Sequence, residues 1–168
     1  MRYALNRLAV AAPAWLRAHM QPAWGERYSH RAENYRFPKA AADRQLLATT
    51  IGADGLALLQ AAYAPEAPPA VRWAPAVEVL RQIWVQQYYG GSNPPRWRHE
   101  PDVPPAAQLI HSPYDLDARY SLQHGSAWVG YKAHATETCD DETPHVITHV
   151  ETTPATTPDD NMLEPIHA

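Results

Sequence analysis

The stretch HSPYDLDARYSLQHGSAWVGYKAHATETCDDE, residues 111–142, decides the fold reading, because helical periodicity ends before it and strand patterning begins inside it. DLDARYSLQ (115–123) alternates imperfectly, and SAWVGYKAHATET (126–138) is rich in aromatic and β-branched residues. DDETP (140–144) interrupts, and HVITHVETT (145–153) is the clearest strand of the three. Short polar connections between such runs predict antiparallel pairing. PATTPDDNMLEPIHA (154–168) reads as a loop entering a helix, with Asp159 or Asp160 near its cap.

Within this stretch Asp115 and Asp117 lie two apart beside Arg119. On a strand, residues i and i+2 share a face, so the pair is expected to project together. From spacing alone a solvated pair with Arg119 as counter-charge is the simpler reading. The alternative is a cation site, since Mg²⁺ is held by one or two carboxylates together with water and phosphate oxygens.

Upstream the pattern is helical. APAWLRAHM (12–20) places Pro13 where a first helical turn tolerates it, with Trp15, Leu16, His19 and Met20 at helical spacing. PKAAADRQLLATTI (38–51) and GLALLQAAYA (55–64) read as two further helices, the second capped by Asp54. PAVEVLRQIWVQQYY (75–89) carries the stripe Val77, Leu80, Trp84 and Tyr88, and GGSNPP (90–95) stops it. RWRHEPDVPPA (96–106) holds too many prolines for regular structure. The chain is therefore expected to be α+β, with a helical N-terminal region at 1–95, a proline-rich linker at 96–108 and a small β-rich part at 109–168.

Charge divides the chain at nearly the same place. Residues 1–100 carry 12 Lys and Arg against 7 Asp and Glu, net +5, whereas residues 101–168 carry 2 against 11, net −9. A basic half suits nucleic acid phosphates and an acidic half suits divalent cations. Arg27, Arg31, Arg36, Lys39 and Arg44 are interleaved with Tyr28, Tyr35 and Phe37, a mixture that suits backbone contact and base stacking. Solvated arginines around core aromatics are the plainer alternative.

Other chemistries find little support. The single cysteine, Cys139, gives no internal disulfide and suits a reducing cytoplasm, the expected location. His145 and His149 would lie ~13 Å apart along a strand, too far to share a zinc ion. GADGLALL (52–59) lacks a preceding strand and a Lys-Ser/Thr pair, so it is no phosphate loop. No apolar run approaches the ~20 residues of a membrane span, and the start MRYALNRLAVAAPAW is a poor secretion signal, broken at Pro13 and followed by Arg17.

SPYDLDARYS, WVGYKAHATETCDD and HVITHVETTPATTPDDNMLEPIH together resemble bacterial insertion-sequence transposases of the DDE class, whose catalytic domain is RNase H-like. APAWLRAHM, RAENYRFPKA and VEVLRQIWVQQYY resemble the helical N-terminal region of the same family. The resemblance implies a helical region followed by an incomplete RNase H-like domain with three antiparallel strands. It also implies DNA at transposon ends as the partner, with self-association or pairing with a missing C-terminal part. In the family, three acidic residues bind two Mg²⁺ ions for strand cleavage and transfer. The first falls here on Asp115, the metal-ligand candidate, with Asp117 as its competitor for the catalytic position. The later Asp-x-Gly-Tyr and helical glutamate contexts do not occur, so the chain is expected to be a truncated N-terminal portion that does not cleave DNA alone or bind Mg²⁺ tightly. Two other functions stay open: a non-catalytic DNA-binding remnant, and a small interaction domain unrelated to DNA.

Overall fold

The computed structural model describes residues 1–29, 38–140 and 142–167, and the chain forms two compact units, Met1–Val103 and Pro104–Ala168. The first is built from α1 (Arg2–Ala11), α2 (Pro13–His19), α3 (Pro22–Arg27), α4 (Ala41–Tyr63), α5 (Pro69–Arg72) and α6 (Pro75–Gln87). Four of these begin on a proline, whose fixed φ suits the first helical position and whose missing N–H is not needed there. The core joins Leu5 and Leu8 of α1, Leu16, Trp24, Leu58 and Leu59 of α4, and Val77, Leu80 and Trp84 of α6. The stripe read from α6 is thus the one that is buried.

One long helix stands where two were expected. α4 runs 23 residues, straight through Gly52, Asp54 and Gly55. Its glycines serve close packing rather than a break. A Cβ on Gly52 would fall 2.8 Å from Tyr88 Cδ1, and one on Gly55 2.9 Å from Trp84 Cδ1. The approach is fixed by two hydrogen bonds onto the α4 backbone: Trp84 Nε1 donates to the Gly52 carbonyl at 2.9 Å and the Tyr88 hydroxyl to that of Ala48 at 2.8 Å. By length and composition α4 is also apolar enough to cross a membrane, contrary to the reading of the sequence. In this unit α6 packs against both α4 and α1.

The last two residues read as α6 leave the helix. Tyr88–Tyr89 form β1 and pair antiparallel with β2, Arg96–Trp97, in the register Tyr88↔Trp97 and Tyr89↔Arg96. Regular structure therefore reaches into the proline-rich segment, because Pro94 and Pro95 precede the two paired residues and leave their N–H groups intact.

The second unit is an antiparallel meander of β3 (Arg119–Gln123), β4 (Ser126–Glu137) and β5 (Ile147–Pro154), in that order across the sheet. A two-residue turn, His124–Gly125, joins β3 to β4, and both residues have positive φ, 50° and 81°. Such turns match the right-handed twist of the flanking strands. After β5 a 3₁₀ turn (Asp159–Met162) and α7 (Leu163–His167) complete the unit. One sheet face carries Tyr120, Leu122, Val129, Tyr131 and Val150, all largely exposed. The other carries Trp128, Lys132, His134 and Thr136, each partly covered.

Candidate functional site

Asp115 does not project from a strand. It lies in a turn four residues before β3, bridged to Ser112, and here the structure corrects the expectation of a shared strand face with Asp117. The reason is local. The short Asp115 side chain reaches the main chain, and its Oδ1 accepts from the N–H groups of Asp117 and Ala118, both at 3.1 Å. Those bonds hold the chain in a turn instead of a ladder. Ser112 Oγ accepts from the Tyr114 N–H in the same loop, at 3.2 Å.

A third donor ties this turn to the sheet. The Tyr131 hydroxyl, from β4, donates to the same Oδ1 at 2.8 Å. That bond, followed by the two backbone N–H groups and the Arg119 charge, holds the Asp115 carboxyl below the usual carboxylate range. The reciprocal effect raises the Tyr131 hydroxyl. Arg119 acts mainly as a clamp: its guanidinium donates to the carbonyls of Leu116, Ala118 (3.2 Å) and Ala107 (2.9 Å). With three donors on Oδ1, a cation would be offered Asp115 Oδ2, and exposed Asp117 beside it. Among the described residues no group of three or more His, Cys, Asp or Glu is placed to hold a metal ion. Asp115 and Asp117 alone do not provide the oxygen set that a Mg²⁺ pair requires.

The opposite sheet face holds a polar cluster not expected from the sequence. Lys132 Nζ meets Asp159 Oδ1 at 3.1 Å and the Thr157 carbonyl at 2.9 Å. His134 Nε2 lies 2.9 Å from Thr153 Oγ1, and its Nδ1 3.8 Å from Asp159 Oδ1. Asp159 thus ties the segment after β5 down onto β4, over the buried Ala155 and Met162. The i, i+2 spacing of Lys132 and His134 was the available signal, since both fall on one face of a strand.

In the helical unit the basic candidates separate. Arg27, in the last turn of α3, forms an ion pair with Asp54 of α4, whose side chain is 9% exposed against 27% for Arg27. The Tyr28 hydroxyl donates to the same Asp54 oxygen at 2.6 Å. Burial, then that bond, pushes the Tyr28 hydroxyl far above its ordinary range. Asp54 is therefore a buried anchor and not a helix cap. Lys39 and Arg44 are exposed at the start of α4, where Arg44 Nη1 donates to the carbonyls of Lys39 (2.6 Å) and Pro38 (3.2 Å). Arg31 and Arg36 lie outside the described residues.

Comparison with known proteins finds no family model, curated protein or solved structure that matches the chain.

Proposed function

We propose that the chain is the DNA-engaging N-terminal part of a DDE transposase, with the second unit as the opening of its RNase H-like domain. The observation that carries this reading is the antiparallel order β3-β4-β5 in the acidic unit, with Asp115 fixed beside the start of β3 by Tyr131. Tyr131 belongs to the same Gly-Tyr-Lys segment on which the family resemblance rests. A second support is the open apolar face of that sheet, the kind of surface that further helices cover in a layered α/β domain.

In such an enzyme a water or a DNA hydroxyl attacks a phosphodiester at the transposon end. A divalent cation held by a full carboxylate set would supply charge stabilisation to that reaction, and Asp115 and Asp117 alone do not complete such a set. Here Asp115 would contribute one oxygen, oriented by the Tyr131 and backbone donors. The activity proposed for the chain by itself is occupancy of DNA, without cleavage.

Two readouts on the purified full chain test this. Duplex affinity is expected to fall steeply with salt, because each neutralised phosphate releases condensed counterions. Supercoiled plasmid with Mg²⁺ is expected to stay intact. Affinity that is absent or indifferent to salt overturns the DNA reading. Nicking that is abolished by Asp115→Ala overturns the claim that the chain does not cleave alone.

A further inference from the structure

The β1–β2 ribbon turns a short sequence alternation into two faces. Successive strand residues point to opposite sides. Tyr88 is buried and Trp97 packs against the same core, so Tyr89, Arg96 and Arg98 fall on the outer side. Tyr89 sits directly opposite Arg96, and the Arg98 N–H continues the ladder by donating to the Gln87 carbonyl at 2.8 Å. Both guanidinium groups rest on the Tyr89 ring, Arg96 Cζ at 4.0 Å and Arg98 Cζ at 4.1 Å from its centroid. Arg98 is tethered there as well, its Nη1 reaching the Asp102 carbonyl at 3.4 Å.

Two like charges on one ring repel each other, and a bridging or neighbouring anion relieves that repulsion. A stacked guanidinium holds its edge donors in a fixed plane, which suits phosphate oxygens; Arg98 spends Nε on the Tyr88 carbonyl (3.3 Å) and Nη1 on that of Asp102, and Nη2 is the donor it has left for a phosphate. The inner edge of the ribbon continues the surface. A cleft of about 180 Å³ lies between Arg44, Leu47 and Ile51 of α4 and Gln87, Tyr88 and Trp97, bringing exposed Arg44 beside the ribbon. Arg44, one of the basic residues singled out in the sequence, thereby lies beside a second basic and aromatic element that the sequence reading had divided between the end of a helix and a linker.

We propose that the outer face of the β1–β2 ribbon, Arg96 and Arg98 stacked on Tyr89, is a phosphodiester-binding surface that grips the duplex backbone and continues past Trp97 to Arg44. This rests on the DNA reading above and locates its contact. The partner is duplex DNA, recognised through charge and not through base edges.

The test is the salt dependence of duplex affinity for the full chain, the variant Arg96→Gln/Arg98→Gln, and the control Arg17→Gln on exposed α2. Each lost phosphate contact lowers the slope of log K against log salt by about 0.9. The double variant is expected to lose about two units of slope and at least tenfold in affinity at low salt. The control is expected to keep the wild-type slope, and Arg96→Lys/Arg98→Lys to restore it. Thermal melts of all four proteins report folding independently. A wild-type chain that binds DNA while the folded double variant keeps its slope and affinity overturns the ribbon assignment and leaves the DNA reading standing. A wild-type chain that does not bind DNA overturns both.

Discussion

Removing the Asp54 carboxylate gives the sharpest view of what holds the helical unit together. Asp54 is almost fully buried and accepts from both Arg27 and Tyr28, so Asp54→Ala strands a guanidinium and a hydroxyl at once. Breaking a buried ion pair on one side costs about 3–5 kcal/mol. Arg27 keeps 27% of its side chain exposed and recovers part of its hydration, which places the cost near the lower end, about 3 kcal/mol. For a unit of this size that lowers Tm on the order of 10 °C. Replacing both partners by apolar residues, Arg27→Met with Asp54→Leu, removes the stranded charge, so the double variant is expected to be more stable than Asp54→Ala. The assay is urea denaturation followed by tryptophan fluorescence, since five of the six tryptophans, Trp15, Trp24, Trp73, Trp84 and Trp97, lie in this unit. A cost below about 0.5 kcal/mol for Asp54→Ala, well under what a stranded buried charge requires, would falsify the anchor role.

Gly52→Ala replaces a poor helix former yet drives a methyl into the Tyr88 ring, so it is expected to destabilise by about 1–3 kcal/mol in the same denaturation assay; stabilisation would contradict the packing argument. Glu78, bonded by Arg81 and then Gln82, titrates at about 2 in place of its ordinary 4.5. Its contribution to stability is therefore present above pH 4.5 and lost as pH falls toward 2. It is small because the pair is nearly half exposed, and Arg81→Ala should return the Glu78 NMR midpoint toward the ordinary value. Lys132→Met cuts the tie to Asp159 and Thr157, and faster proteolysis within 155–163 at unchanged β3–β4 hydrogen exchange is the expected result. Gly125→Ala, at φ 81°, should cost about 1 kcal/mol by thermal melt, the price of a Cβ in the left-handed region.

What the sequence disclosed was periodicity. The stripe and start of α6, the proline-started α2 and the β4 and β5 runs follow from local pattern and come out close to their observed ends, whereas α3 and α5 were not read as helices. The departures share a cause, which is that a side chain found a distant or main-chain partner that periodicity does not register. Asp54 looked like a cap because capping uses the same residue types, and its actual partners come from α3 and the residue after it, more than twenty positions earlier. Gly52 and Gly55 looked like a break because the Tyr88 and Trp84 rings that require them lie 36 and 29 residues later. Asp115 looked like a strand residue because DLDAR alternates, yet its carboxylate captures two N–H groups and ends the ladder short of it. Tyr89, Arg96 and Arg98 were unreadable as a unit until the ribbon brought them onto one face.

Asp115 is proposed as the first carboxylate of a nuclease-type set. Sequencing the DNA that follows the Ala168 codon addresses it most directly. The prediction is an Asp-x-Gly-Tyr segment followed by a helical glutamate in one of the three forward reading frames. Unrelated sequence in all three would contradict it.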